Sequence, residues 1–143
     1  MEKACVIYKT KKEFKVNTLN LSDTGVFLAS LNCFIIPIGA DEEDLSKIIF
    51  EALTKSRSVN FEDAPNPKEL LVTLREKSFS SLYKNSTSCS IYLQENKVSI
   101  VPKNYSNKSN SLVHDNDRKV EIENFSKLDL ARQVIKLLSE SSG

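Results

Sequence analysis

Between two regions of alternating, strand-like residues, the apolar positions change their spacing once. Leu45, Ile48, Ile49, Ala52 and Leu53 follow i, i+3, i+4, i+7, i+8, which is one face of a helix. The segments on either side keep a period of two, the mark of strands. This switch constrains the fold most, because a helix with one apolar stripe must lie on an apolar surface, and strands supply one. Four acids in a row, Asp41 to Asp44, open the helix. Asp41 suits the N-cap. Glu42, Glu43 and Asp44 fill the first turn, where the positive end of the helix dipole favours carboxylates.

The remaining segments follow the same logic. "ACVIYKT" and "EFKVNTL" read as a hairpin with lysines at its turn. Strands are expected over 3–9, 12–18, 26–30, 33–38, 88–95, 97–102 and 119–124. Pro37 lacks a backbone donor and places its strand at an edge or an end. The helix of the acidic run is expected over 42–57. Asn66 followed by Pro67 starts a second helix over 67–75, and Phe79, Leu82 and Tyr83 suit a further short one. Glu95-Asn96 reads as a two-residue turn, and 104–111 as a polar loop. Ser126 and Asp129 form a capping box for a last helix over 126–139, and 139–143 reads as a frayed tail. This grouping predicts one α+β domain over 1–143, a mainly antiparallel sheet with about three helices packed on it. Its expected core includes Ile48, Ile49, Leu53, Leu71, Leu74, Ile91, Leu93, Leu128, Ile135 and Leu138.

Composition excludes several classes. Net charge is +1 in 143 residues, whereas nucleic-acid binders usually carry a large basic excess. The longest apolar run, Cys33–Ile38, is far short of the 18 or so residues of a membrane span. "ACVIY" is too short for a secretory leader, and "KTKKEFK" follows at once, so the chain reads as cytoplasmic. Cys5, Cys33 and Cys89 are odd in number and widely spaced, which suits buried, reduced thiols. With no Cys-x-x-Cys pair and one histidine, no zinc site is expected, and no other metal or cofactor either.

Catalytic signatures are also missing. His114 could serve as the base of a small enzyme, but no G-x-S-x-G elbow accompanies it. Glu121 and Glu123 share a strand face and read as solvated. The three glycines are isolated, so no phosphate loop is expected. Charge gives two rival binding surfaces. Lys9, Lys11, Lys12 and Lys15, with Lys97, Lys103 and Lys108 beside Tyr92 and Tyr105, would suit an RNA-binding module. Residues 41–63 hold seven acids against three bases. Glu42, Glu43, Asp44, Glu51, Glu62 and Asp63 thus read either as helix capping with a solvated face or as an acidic surface for a basic partner.

The assembled pattern resembles the immunity proteins of bacterial contact-dependent growth inhibition (CDI). The similar segments are "KACVIYKTKKEFKV", "TGVFLASLNCFIIPIGADEEDLSKIIFEALTKSR", "CSIYLQENKVSIVPK" and "LVHDNDRKVEIENFSKLDLARQVIKLL". The resemblance implies a cytoplasmic, non-enzymatic inhibitor of a cognate toxin C-terminal domain (CdiA-CT-type). It further implies that the toxin is often a basic nuclease, frequently one acting on tRNA, and that its active site is covered. It implies neither a membrane nor a direct nucleic-acid partner. It carries over no contact residues, so the six acids rest on charge alone.

Overall fold

The computed structural model describes residues 2–140. The strands are β1 (Lys3–Lys9), β2 (Glu13–Ser22), β3 (Phe27–Pro37), β4 (Ser58–Val59), β5 (Thr87–Gln94), β6 (Lys97–Ser106), β7 (Ser111–His114) and β8 (Val120–Glu123). The helices are α1 (Glu42–Thr54), α2 (Pro67–Leu74), α3 (Phe79–Lys84) and α4 (Lys127–Glu140). One sheet runs in the order β3-β2-β1-β5-β6-β7. All these pairings are antiparallel, and only the two-residue β4 joins β2 in parallel. β8 pairs with Lys97–Ile100 of β6 while β7 pairs with Lys103–Ser106, so the two short strands divide β6 between them.

Both faces of the sheet are covered, and "ACVIY" is apolar throughout for that reason. Successive side chains of a strand point to opposite faces. Cys5 and Ile7 of β1 join Val16, Ile91, Val98 and Ile100 beneath α1 and α4, which add Leu45, Ile49, Leu53, Leu130, Val134 and Leu138. Ala4, Val6 and Tyr8 pack on the other side with Leu74 of α2 and Leu82 of α3.

Lys15 sits within this second layer. Phe14 and Val16 turn toward α1, so Lys15 must turn toward α2, where it is 1% exposed. Its Nζ donates to the Leu74 carbonyl and pairs with the Glu76 carboxylate, with Glu13 3.6 Å away. Arg75 creates this geometry by taking a left-handed φ of 57° at the end of α2. Carbonyls at a helix C-terminus favour a cation, and a buried ammonium needs such partners.

Several expectations are corrected. Strands over 26–30 and 33–38 are one strand, β3, with an irregularity opposite Asn17–Leu19. The buried Asn17 amide donates to the carbonyls of Ser30 and Asn32 at 3.0 and 2.9 Å, which stitches that irregularity into the sheet. β2 extends to Ser22, and α1 stops at Thr54 rather than 57. The expected loop 104–111 is instead the end of β6, a turn and the start of β7, because edge strands tolerate polar residues that solvent covers. The short helix suited to Phe79, Leu82 and Tyr83 forms as α3, so the described residues hold four α-helices rather than about three. α4 reaches Glu140, and the rest of the expected frayed tail lies outside the described residues. Ile49, Leu53, Leu74, Ile91 and Leu138 are buried, whereas Ile48, Leu71, Leu93, Leu128 and Ile135 are half-buried. On α4 the buried stripe is Leu130, Ala131, Val134, Leu137 and Leu138, so Leu130 and Leu137 stand where Leu128 and Ile135 were expected.

The Lys15 arrangement yields a test. Glu76→Gln strands a buried ammonium and is expected to cost about 3 kcal/mol in urea unfolding. Adding Lys15→Met should recover most of that loss. Equal losses for the single and double variants would contradict the assignment.

Candidate functional site: acidic positions along the first helix

Asp41 adopts an extended backbone (φ −79°, ψ 173°), and its carboxylate accepts the Asp44 backbone N–H at 2.9 Å. It is the N-cap the sequence indicated. Glu42, Glu43 and Asp44 are all exposed. Glu42 is not free, because Arg132 of α4 donates its Nε to the Glu42 carboxylate at 2.8 Å. That hydrogen bond, with the attraction of the Glu42 charge, holds the guanidinium pKa above its ordinary value. The pair ties the start of α1 to α4, and as a solvated pair it contributes little to stability. Among the described residues Glu43 and Asp44 form no ion pair.

The other acids lie further along. Helical rise separates Glu43 from Glu51 by roughly 12 Å. Glu51 borders a shallow hollow with Lys47, Lys55 and Lys127, so its field is largely balanced. Glu62 and Asp63 are exposed in a 3-10 turn, Phe61–Asp63, beyond the end of α1. The six acids therefore form a band rather than one cluster. Asp63 meets carboxylates the sequence did not single out. With Asp23 and Glu69 it lines an open cleft of about 890 Å³ between the β2–β3 end of the sheet and the 57–65 segment, where Arg57 is the one basic lining residue. Asp23 also accepts the Phe61 backbone N–H at 2.9 Å, which anchors the turn. A window limited to 41–63 could not have found them, since folding alone brings residues 23 and 69 to that cleft.

The rival sites are less assembled. His114 ends β7, and its Nε2 lies 3.2 Å from the Tyr92 hydroxyl. Partial burial, then the nearby Lys103 charge, push its pKa below the usual value. Asp115 turns away to Arg118 and Asn104, at 2.8 and 3.1 Å, so it does not orient the imidazole. Burial raises the thiols of Cys33 and Cys89 to about 11 and about 12, and pushes Cys5 up as well. They stay protonated at neutral pH and are poor nucleophiles. Among the described residues no three His, Cys, Asp or Glu side chains are grouped to hold a metal ion. No described helix is long and apolar enough to cross a membrane.

The lysine set is also thinner than its sequence suggests. Lys15 is internal, Lys103 is half-buried, and Lys97 pairs with Glu121 at 3.0 Å. Glu121 and Glu123 are exposed opposite the half-buried Val120 and Ile122, as expected.

A mainly antiparallel sheet of eight strands with α-helices on both faces defines an α+β protein, and solved structures share this architecture. A protein of unknown function from Neisseria meningitidis aligns with a TM-score of 0.74 at 17% identity, covering 96% of this chain and 93% of that one. A chain of the CdiA-CT/CdiI toxin and immunity complex from Yersinia pseudotuberculosis aligns with a TM-score of 0.73 at 13% identity, covering 97% and 96%. No curated protein matches. The chain belongs to the CDI immunity protein (CdiI) family, whose pattern matches residues 3–141.

The cap gives a test that separates folding from surface charge. Asp41→Ala should destabilise the protein by about 0.5–2 kcal/mol in chemical unfolding. Glu43→Gln should leave the unfolding midpoint nearly unchanged. A larger loss from Glu43→Gln than from Asp41→Ala would contradict the division of labour.

Proposed function

We propose that this protein binds and neutralises the toxin domain of its cognate CDI system, that the toxin is a basic nuclease, and that inhibition works by covering its active site. Membership of the immunity family over 3–141 carries the reading. The acidic band along α1 supplies the chemistry. A nuclease cleft accepts phosphates with basic groups, and carboxylates can occupy the same positions. Complementary charge accelerates encounter and rejects wrong partners. Glu42, Glu43, Asp44, Glu51, Glu62 and Asp63 are the proposed contacts, and all six are exposed. Glu43, Asp44, Glu62 and Asp63 are the stronger members, since Glu42 is engaged by Arg132 and Glu51 sits among lysines.

In this reading the protein performs no chemistry and works in the cytoplasm, where a nuclease toxin would find its substrate. The rival RNA-binding reading is disfavoured by the internal Lys15 and the Lys97–Glu121 pair, and a His114-centred enzyme by the absence of an orienting contact from Asp115.

The test compares wild type with the combined variant Glu42→Gln, Glu43→Gln, Asp44→Asn, which keeps shape and removes charge. Association with the purified toxin domain should slow by about tenfold or more at low salt, with a flatter dependence on ionic strength and an intact fold. Unchanged association at low salt would reduce the acidic run to a helix start and move the inhibitory surface elsewhere.

A further inference from the structure

The α2/α3 side of the sheet carries a second lysine whose situation differs from that of Lys15. Direct cross-strand partners run from Tyr8 to Ser88, from Ser88 to Lys103, and from Lys103 to His114. Such partners share a face with their Cβ atoms about 4.5–5.5 Å apart. Lys15 is the β2 partner of Tyr8, so both lysines belong to the same row. Lys15 is matched by Glu76 and Glu13, whereas Lys103, half-buried at the other end, pairs with no carboxylate among the described residues. Ser88 beside it is 1% exposed, and its hydroxyl, like those of Thr87 and Ser90, has no hydrogen-bond partner among the described residues. The far side of the group is closed by His114 and Tyr92, joined at 3.2 Å.

A half-buried ammonium and a buried, unpartnered hydroxyl are both donors that want an acceptor. We infer that Lys103, Ser88, His114 and Tyr92 form a binding site for one small oxyanion, a carboxylate or a phosphoryl group. The anion would take the place that Glu76 fills for Lys15. Its oxygens would accept from Lys103 Nζ and the Ser88 hydroxyl, and from His114 once protonated. Desolvation lowers the Lys103 pKa, and burial with Lys103 lowers that of His114, as expected of donors awaiting a counter-charge. The surrounding charges are sparse or occupied. Asp115 is held by Arg118 and Asn104, Asp117 is exposed in the next turn, Glu2 acts on Tyr92, and Lys84 of α3 lies over the Tyr105 ring. The site faces away from α1, so it neither needs the toxin reading nor fails with it.

The experiment is an NMR titration of the purified protein with sodium sulfate and, separately, sodium acetate, at constant ionic strength maintained with chloride. Sulfate stands in for a phosphoryl group and acetate for a carboxylate. Saturable shifts are expected at Ser88, Lys103 and His114. The His114 titration midpoint, which starts below the ordinary value of about 6.5, should rise when the anion binds, because a bound anion favours the imidazolium. Lys103→Met should abolish the shifts and Lys103→Arg should retain them. The tighter of the two anions identifies the ligand class. No saturable shift in the wild type with either anion would overturn the site, and so would shifts that persist in Lys103→Met.

Discussion

The middle of this sheet has helices on both faces, which leaves little water for its polar side chains. A buried polar group left unpaired is costly, and the polar side chains of β2 and of the segment after α1 meet this by finding partners within the chain. Lys15 finds Glu76 and the last carbonyls of α2, Asn17 finds the carbonyls at the irregularity in β3, and Thr18 donates to the Ala52 carbonyl at 2.7 Å. Ser56, 3% exposed, accepts from the Ala4 N–H at 3.2 Å and donates to the Leu19 carbonyl. These bonds fix where α1 ends and where α2 ends, so they set the course of the segment between them. That segment carries Glu62, Asp63 and the wall of the acidic cleft.

The regular elements were legible because period and punctuation agree. Asp41, Asn66 and Ser126 each cap the helix that the sequence assigned to it. The hairpin turn at 10–12, with its exposed lysines, also stands where expected. Failures came where tertiary context overrides local character. Lys15 looks like one more surface lysine of a basic hairpin, yet strand alternation sends it inward. Ser30 to Asn32 look like a break between two strands, yet Asn17 bridges them from the neighbouring strand. Residues 104–111 look like a polar loop, yet β6 templates a hairpin there.

The candidate site was legible only as charge. Exposure of Glu42, Glu43, Asp44 and Glu51 follows from the phase of α1, since the opposite face is needed for the core, and Glu62 and Asp63 are exposed in the 3-10 turn beyond it. What local sequence could not supply was the set of partners. Arg132 is 90 positions from Glu42 and meets it because α1 and α4 pack side by side on the sheet. Asp23 and Glu69 join Asp63 only through the fold. The acidic run thus has graded duties: Asp41 caps, Glu42 ties two helices, and Glu43 and Asp44 are left to solvent or to a partner.

That last step is the central claim, and amide hydrogen exchange with and without the purified cognate toxin domain tests it directly. The first-turn amides of a helix lack intrahelical partners and report readily on a covering surface. The account predicts slowed exchange over 42–46 and 60–64 in the complex, with 111–114 at the end of the opposite face unchanged. Slowed exchange confined to β7 and β8, with none at the start of α1, would contradict it.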